Sequence, residues 1–268
     1  MSTTLSKTQR NALEKRAARN EVLLWADDGW LYPDGYTMDA LPPLIPTDRT
    51  MISGIEDVIS LGAVNDDCYS MSGAGVYMGY ACSTDRYRAY SITLPVEQWH
   101  QDVYLPVSMC KTLIGLFSTR LWKDSVAYAW EDGTQTYVQV GGVLLNAANG
   151  GRSAEHVVST VRKLFDNLND YRDTGVPFPA YKDAPYQAAY EDGKGWVSLP
   201  DFHVYEDVRR AYLEDTTPLI VFDGEFAAGM GRFSRGSMHV SNTNPGARAV
   251  YTRTEQREAL VMPVRIRG

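Results

Sequence analysis

Val103-Tyr104-Leu105-Pro106 introduces a run of helix-forming residues, and Val197-Ser198-Leu199-Pro200 introduces another, displaced by 94 positions. Both are short apolar segments closed by proline, which fixes φ and suits a strand end or a first helical turn. The first is followed by a helical pattern over 107–118 and then by Val126–Trp130 ahead of Glu131-Asp132-Gly133. The second is followed by a helical pattern over 201–213 and then by Leu219–Phe222 ahead of Asp223-Gly224. A strand–helix–strands unit returning at this distance predicts a duplicated module, because solenoid repeats run only about 20–50 residues.

Two more helices fit the same rhythm. One is expected over 48–61, with Asp48 as N-cap and Ile52, Ile55, Val58 and Ile59 on one face. The other is expected over 153–169, beginning at Ser153, with Val157, Val161, Leu164, Phe165 and Leu168 at helical spacing. A helix with one apolar stripe beside a small antiparallel sheet must bury that stripe against the sheet. The expectation is therefore an α+β protein of repeated β-α-β-β-β modules, with helices on one face of curved antiparallel sheets. The modules form two similar domains, 46–150 and 151–268, joined somewhere between 148 and 182. Residues 1–45 form a leader. Within it, 5–21 holds good helix formers with a thin apolar stripe, Asp27-Asp28-Gly29 is a hairpin signal, and Leu41–Pro46 is a proline-rich connector.

Composition narrows the class. The chain has 268 residues, 44% hydrophobic and 22% charged, which excludes disorder for most of its length. No apolar run reaches the roughly 18–20 residues that span a bilayer, and the N-terminal stretch is too polar for a secretory core, so a soluble cytoplasmic protein without membrane contact is expected. Three cysteines (Cys68, Cys82 and Cys110) with no C-x-x-C spacing argue for free thiols.

Charge is uneven. Residues 1–20 hold Lys7, Arg10, Lys15, Arg16 and Arg19 against Glu14, a net +4, which leaves −11 of the formal −7 for the rest. An acidic body repels nucleic acid unless its basic residues gather on one surface. Lys111, Arg120, Lys123, Arg162, Lys163, Arg209 and Arg210 lie on the polar faces of the expected helices and are the DNA-facing candidates. Glu155, Asp166, Glu206 and Asp207 interrupt them, so ordinary solvated helix faces are the alternative.

Catalytic signatures are thin. Ser108-Met109-Cys110-Lys111 matches S-x-x-K without its companion motifs. Gly73-Ala74-Gly75 runs into a strand pattern rather than a helix, which suits a hairpin better than a dinucleotide loop. Gly224–Gly231 lacks the Lys-Ser/Thr of a P-loop, and the four histidines are scattered. No catalytic residue, metal or cofactor is expected; an unrelated β-rich enzyme is the outlying alternative.

Two segments point to a family. Ala81-Cys82-Ser83-Thr84-Asp85-Arg86-Tyr87-Arg88-Ala89-Tyr90 resembles the V-A-T-D-G-H-R-L strand of the bacterial DNA polymerase III β sliding clamps, and Val261-Met262-Pro263-Val264-Arg265-Ile266 resembles their terminal V-M-P-M-R-L. Val103–Pro106 with its helix and Gly175–Tyr181 are similar to further clamp segments, so the resemblance covers about 48–266. It implies a compact two-domain clamp, a processivity factor that encircles duplex DNA without reading sequence. Six domains would close a ring as a homotrimer. It further implies a groove for short linear peptides of polymerase, clamp loader or repair proteins. The groove would be lined by Thr84, Arg86, Tyr87 and Ala89 on one side and by Val261, Met262, Pro263, Val264, Arg265 and Ile266 on the other. Arg86 stands where the family has glycine, Tyr87 where it has histidine, and Val107-Ser108 where it has a basic pair. The place of action would be the nucleoid or, for a phage protein, its host's cytoplasm. The rival reading is a clamp-shaped module that binds such peptides as a decoy, without encircling DNA.

Overall fold

A computed structural model of the chain describes residues 5–26, 46–47, 49–62, 71–94, 102–125, 127–178, 186–191, 196–202, 219–244 and 248–264. The chain divides into two compact units, Met1–Asp85 with Ile92–Val161, and Arg86–Ser91 with Arg162–Gly268.

The first unit runs α1 (Lys7–Arg19), β1 (Leu23–Ala26), β2 (Pro46–Thr47), α2 (Arg49–Gly62), β3 (Ala74–Tyr77) and β4 (Tyr80–Thr84). After the end of β5 (Arg88–Thr93) come β6 (Val103–Leu105), α3 (Val107–Phe117), α4 (Arg120–Asp124), β7 (Ala127–Asp132), β8 (Gln135–Val140), β9 (Val143–Ala148) and the start of α5 (Ala154–Asp166). The second unit holds the start of β5, the end of α5, β10 (Tyr171–Pro177), β11 (Tyr186–Glu191), β12 (Trp196–Phe202) and β13 (Leu219–Asp223). It continues through α6 (Gly224–Ser234), β14 (Ser237–Ser241), β15 (Val250–Arg253) and β16 (Arg257–Val261). A helix followed by three strands thus occurs four times, led by α2, α3, α5 and α6, and β2, β6 and β13 precede three of these helices. This is the expected α+β module.

In the first unit the sheets run β1-β9-β8-β7-β2 and β4-β3-β6; in the second, β10-β14-β15-β16-β5 and β12-β11-β13. The pairings with described register are all antiparallel. Met78 and Gly79 carry φ of 45° and 79°, so β3 and β4 join through a two-residue turn of the kind that matches strand twist, and the Gly73–Gly79 segment is a hairpin as expected.

Three readings of the sequence change. The helix expected over 201–213 begins inside β12, where Leu199 pairs with Ala188 and Phe202 with Tyr186; 203–213 lie outside the described residues. The unequal spacing is a bulge around Pro200, which has no N–H to give to a ladder. Second, Asp223-Gly224 is a helix start, whereas Glu131-Asp132-Gly133, its expected parallel, runs from β7 into the turn before β8. Asp223 caps α6 by accepting the N–H groups of Glu225 and Phe226 at 3.0 and 3.1 Å. The true counterpart of β6–α3 is therefore β13–α6. Third, Leu164 stands at the rim of the α5 stripe, 40% exposed, while Val157, Val161 and Phe165 are buried. Leu23–Ala26 is a strand paired along β9, Leu24 opposite Leu145; the hairpin signal Asp27-Asp28-Gly29 and the connector lie outside the described residues.

Packing in the first unit centres on Trp130 stacked on Tyr137 at 5.1 Å beside Leu144. The start of α5 lies on β3, where a Cβ on Gly75 would stand 2.8 Å from the Ala154 carbonyl oxygen and 3.0 Å from the Val157 Cβ. Helix α1 is closed by a Ser6–Gln9 capping box and buries Leu13 and Ala17. It packs on α3: the Arg16 guanidinium donates to the Lys111 carbonyl at 3.2 Å, and the Asn20 amide to Thr112 Oγ1 at 3.1 Å. Cys82 and Cys110 are buried thiols outside any disulfide among the described residues, and burial pushes the Cys110 thiol up to about 12; Cys68 lies outside the described residues.

In the second unit Tyr90 meets Phe233 edge-on at 5.0 Å, and Phe178 meets Phe222 at 5.7 Å. Glu258 on β16 is buried between two guanidiniums. Arg253, its cross-strand partner, donates through Nε at 2.7 Å, and Arg162 at the end of α5 pairs with the other carboxylate oxygen while donating to Ser91 Oγ at 3.3 Å.

Candidate functional site

The site lies in the second unit, built from Arg86–Ser91, β13, the first turn of α6 and the segment after β16. At Arg86 the backbone turns left-handed, φ 77°, and releases Tyr87 to solvent before β5 begins. Past β16 the chain runs beside this bend. The Met262 N–H donates to the Tyr87 carbonyl at 2.7 Å, and the Val264 N–H donates to the Val221 carbonyl at 2.8 Å, so the tail is held by backbone bonds to β13 and to the bend.

Phe226, on the first turn of α6, completes the cluster. The Arg88 guanidinium carbon sits 4.2 Å from its ring centroid, a cation–π distance, and the Tyr87 ring lies 6.3 Å away. Tyr87 is 54% and Met262 40% exposed, while Ala89 and Val261 are buried beneath. Among the described residues only five large hydrophobic side chains are strongly exposed, and two of them are joined here across a single hydrogen bond. Apolar side chains bordered by a cation and by ordered backbone suit a short extended peptide, which anchors on apolar residues and aligns along main chain.

The expected groove residues distribute as follows. The bend at Arg86 and Tyr87 and the tail at Met262–Val264 are brought together. Thr84, ending β4, is buried, and Pro263 and Val264 are half-buried. Arg265 and Ile266 lie outside the described residues. Phe226 was not among the expected site residues: its helix starts at an Asp-Gly pair and carries Gly224, Gly229 and Gly231, so only the Asp223 cap signalled it.

The described cationic candidates stand on three helices. Arg120 and Lys123 are exposed on α4, Lys163 is exposed on α5, and Lys111 is partly exposed on α3. The Arg162 guanidinium turns inward to Glu258. Arg209 and Arg210 lie outside the described residues. Among the described residues no group of three His, Cys, Asp or Glu side chains is placed to hold a metal, and no helix is long and apolar enough to cross a membrane.

The left-handed bend at Arg86 is a place that suits glycine. A left-handed backbone costs an L-residue about 1–2 kcal/mol and glycine almost nothing. Arg86→Gly is expected to leave the unfolding free energy equal or raise it by up to about 1 kcal/mol, and Arg86→Val, whose β-branched side chain tolerates φ > 0 less than arginine's does, to lower it. Urea titration of both variants checks this, and equal stability of the two would contradict it.

No protein-family profile matches the chain, and no curated protein matches it in sequence. Solved structures do. The Helicobacter pylori β clamp bound to a DNA ligase peptide superposes with a TM-score of 0.56 at 9% identity, over 88% of this chain and 69% of that one. A protein described as a DNA polymerase III β subunit from Eubacterium rectale gives 0.56 at 12% identity, over 89% and 68%. The Caulobacter crescentus β sliding clamp, with polyethylene glycol bound at its β-motif tethering region, gives 0.55 at 12%, over 88% and 69%. The chain has the fold of the DNA polymerase III β sliding clamps.

Proposed function

We propose that this chain, carrying the β-clamp fold, works as a non-catalytic processivity factor: it encircles duplex DNA and tethers polymerase, clamp-loader or repair proteins through linear peptides docked at Tyr87, Phe226 and Met262. The observation that carries the reading is the Met262–Tyr87 backbone bond, which sets two distant exposed apolar residues side by side on a clamp fold. One structure of that fold was solved with a ligase peptide bound.

Encirclement replaces tight binding, so contacts to DNA are electrostatic, weak and indifferent to sequence. Lys111, Arg120, Lys123 and Lys163, with Arg209 and Arg210, are the cations offered for that purpose on the two domains 46–150 and 151–268. A two-domain chain closes a six-domain ring as a trimer through heterologous head-to-tail contacts. The protein would act in the cytoplasm, at the nucleoid.

A Q-L-x-L-F peptide, titrated against the wild type and against Phe226→Ala with Met262→Ala, tests the tether. Binding in the micromolar range by the wild type and a loss of about tenfold or more in the variant are expected, since each lost apolar anchor is worth roughly 1–2 kcal/mol. Equal affinity would overturn the site. Light scattering tests the ring: the trimer has three times the 29.9 kDa chain mass, whereas a monomer that still binds the peptide is the decoy.

A further inference from the structure

We infer that α1 is a further surface through which the protein meets the phosphate backbone of duplex DNA, beside the cations named above, an inference that rests on the clamp reading. Helix α1 holds Lys7, Arg10, Lys15, Arg16 and Arg19 against the single acid Glu14, in a chain whose formal charge is −7. Cations are therefore concentrated on an element of 13 residues attached to an acidic body.

The docking of α1 decides which of them face out. Leu13 and Ala17 are buried, so at 100° per residue Lys15 and Arg19, one turn apart, lie on the opposite side; both are exposed, and Lys7 flanks them, also exposed. Arg16 is spent on attachment. Its guanidinium bonds to the Lys111 carbonyl, and its Cδ and Nε lie 2.8 and 2.9 Å from the place a Gly115 Cβ would occupy, so the missing side chain at 115 is the seat of Arg16. Asn20 adds a bond to Thr112. Helix α1 thus overlies α3 along Lys111–Gly115, the segment with one of the expected DNA-facing cations, and brings its own cationic side. Because the helix is already ordered and fixed, binding phosphates with it costs little further entropy.

The occupant is a regular polyanion. Each phosphate neutralised releases condensed counterions, giving a slope of about −0.9 per contact in log affinity against log salt. The experiment uses the full-length chain and a labelled linear duplex, titrated between about 50 and 200 mM salt. The variant carries Lys7→Gln, Lys15→Gln and Arg19→Gln, which leave Leu13, Ala17, Arg16 and Asn20 in place, and thermal unfolding confirms that it folds. The slope is expected to become shallower by about 2–3 and affinity at the lowest salt to fall at least tenfold.

An unchanged slope in this variant, or a loss seen only with Arg120→Gln, Lys123→Gln and Lys163→Gln, overturns the inference. So does the absence of duplex binding by the wild type at the lowest salt, which would leave an acidic protein surface or a second copy as the occupant. Peptide binding at Tyr87 and Met262 is read on the same preparations. Its absence in the wild type counts against the tethering reading, and its retention beside an unchanged slope counts against α1 alone.

Discussion

Glu258→Ala is expected to lower the unfolding free energy of the second unit by about 3 kcal/mol, the cost of stranding a buried charge whose partner is removed. The wild-type carboxylate is 11% exposed and serves Arg162 and Arg253 together. With Glu258 gone, Arg162, itself 18% exposed, keeps Ser91 and an oxygen of Asp166 at 3.4 Å, and Asp166 is two-thirds in solvent. Arg253→Ala should cost much less, about 1 kcal/mol, because Arg253 is half-exposed and its loss leaves Glu258 still paired with Arg162. Chemical denaturation of the two variants checks the asymmetry, and equal losses would contradict it. The effect should reach the peptide site, since β16 carries Glu258 and runs directly into Met262, so weakened peptide binding by Glu258→Ala is expected as well.

Gly75→Val is expected to destabilise the first unit by about 2 kcal/mol. Overpacking costs roughly 1–3 kcal/mol, and valine's preference for strands returns at most about 1. The clash involves parts that cannot swing aside: the Ala154 carbonyl belongs to the first turn of α5, and the Val157 Cβ is fixed to the same helix. Gly115→Ala makes the contrast, because there the new methyl meets the far end of Arg16, a flexible side chain. Thermal melts should rank Gly75→Val well below Gly115→Ala, and the reverse order would sink the account of how α5 seats on β3.

The sequence made the modules legible wherever local signals and tertiary needs agreed. Ser153 opens α5 because its hydroxyl can accept the His156 N–H, and the apolar spacing behind it matched burial at Val157, Val161 and Phe165, with Leu164 exposed and Leu168 half-buried past the helix end. The bend and the tail could be paired only by resemblance, since no local pattern brings residue 87 to residue 262. Where local signals misled, a long-range term had the final word. Pro200 reads as the end of a strand with a helix to follow, yet ladder bonds to β11 carry the strand on to Phe202. Gly224, Gly229 and Gly231 weaken α6 by propensity, and burial of Ala227, Met230 and Phe233 overrides it. The seat of Arg16 on Gly115 and the ring of Phe226 under Arg88 depend on side chains far apart in sequence, and neither has a signature that spacing could reveal.

Strand β1 has a consequence for assembly. By pairing residue for residue with β9 from Leu23 to Ala26, the chain occupies the open margin of that sheet with its own early segment. Covered in this way, β9 offers a second molecule no row of vacant amides and carbonyls to zip onto, and Leu23–Ala26 becomes the outermost strand in its place. A second molecule pairing with β9 itself would have to trade Leu23–Ala26 reciprocally with its neighbour, so a ring built without such an exchange is stitched along other strands.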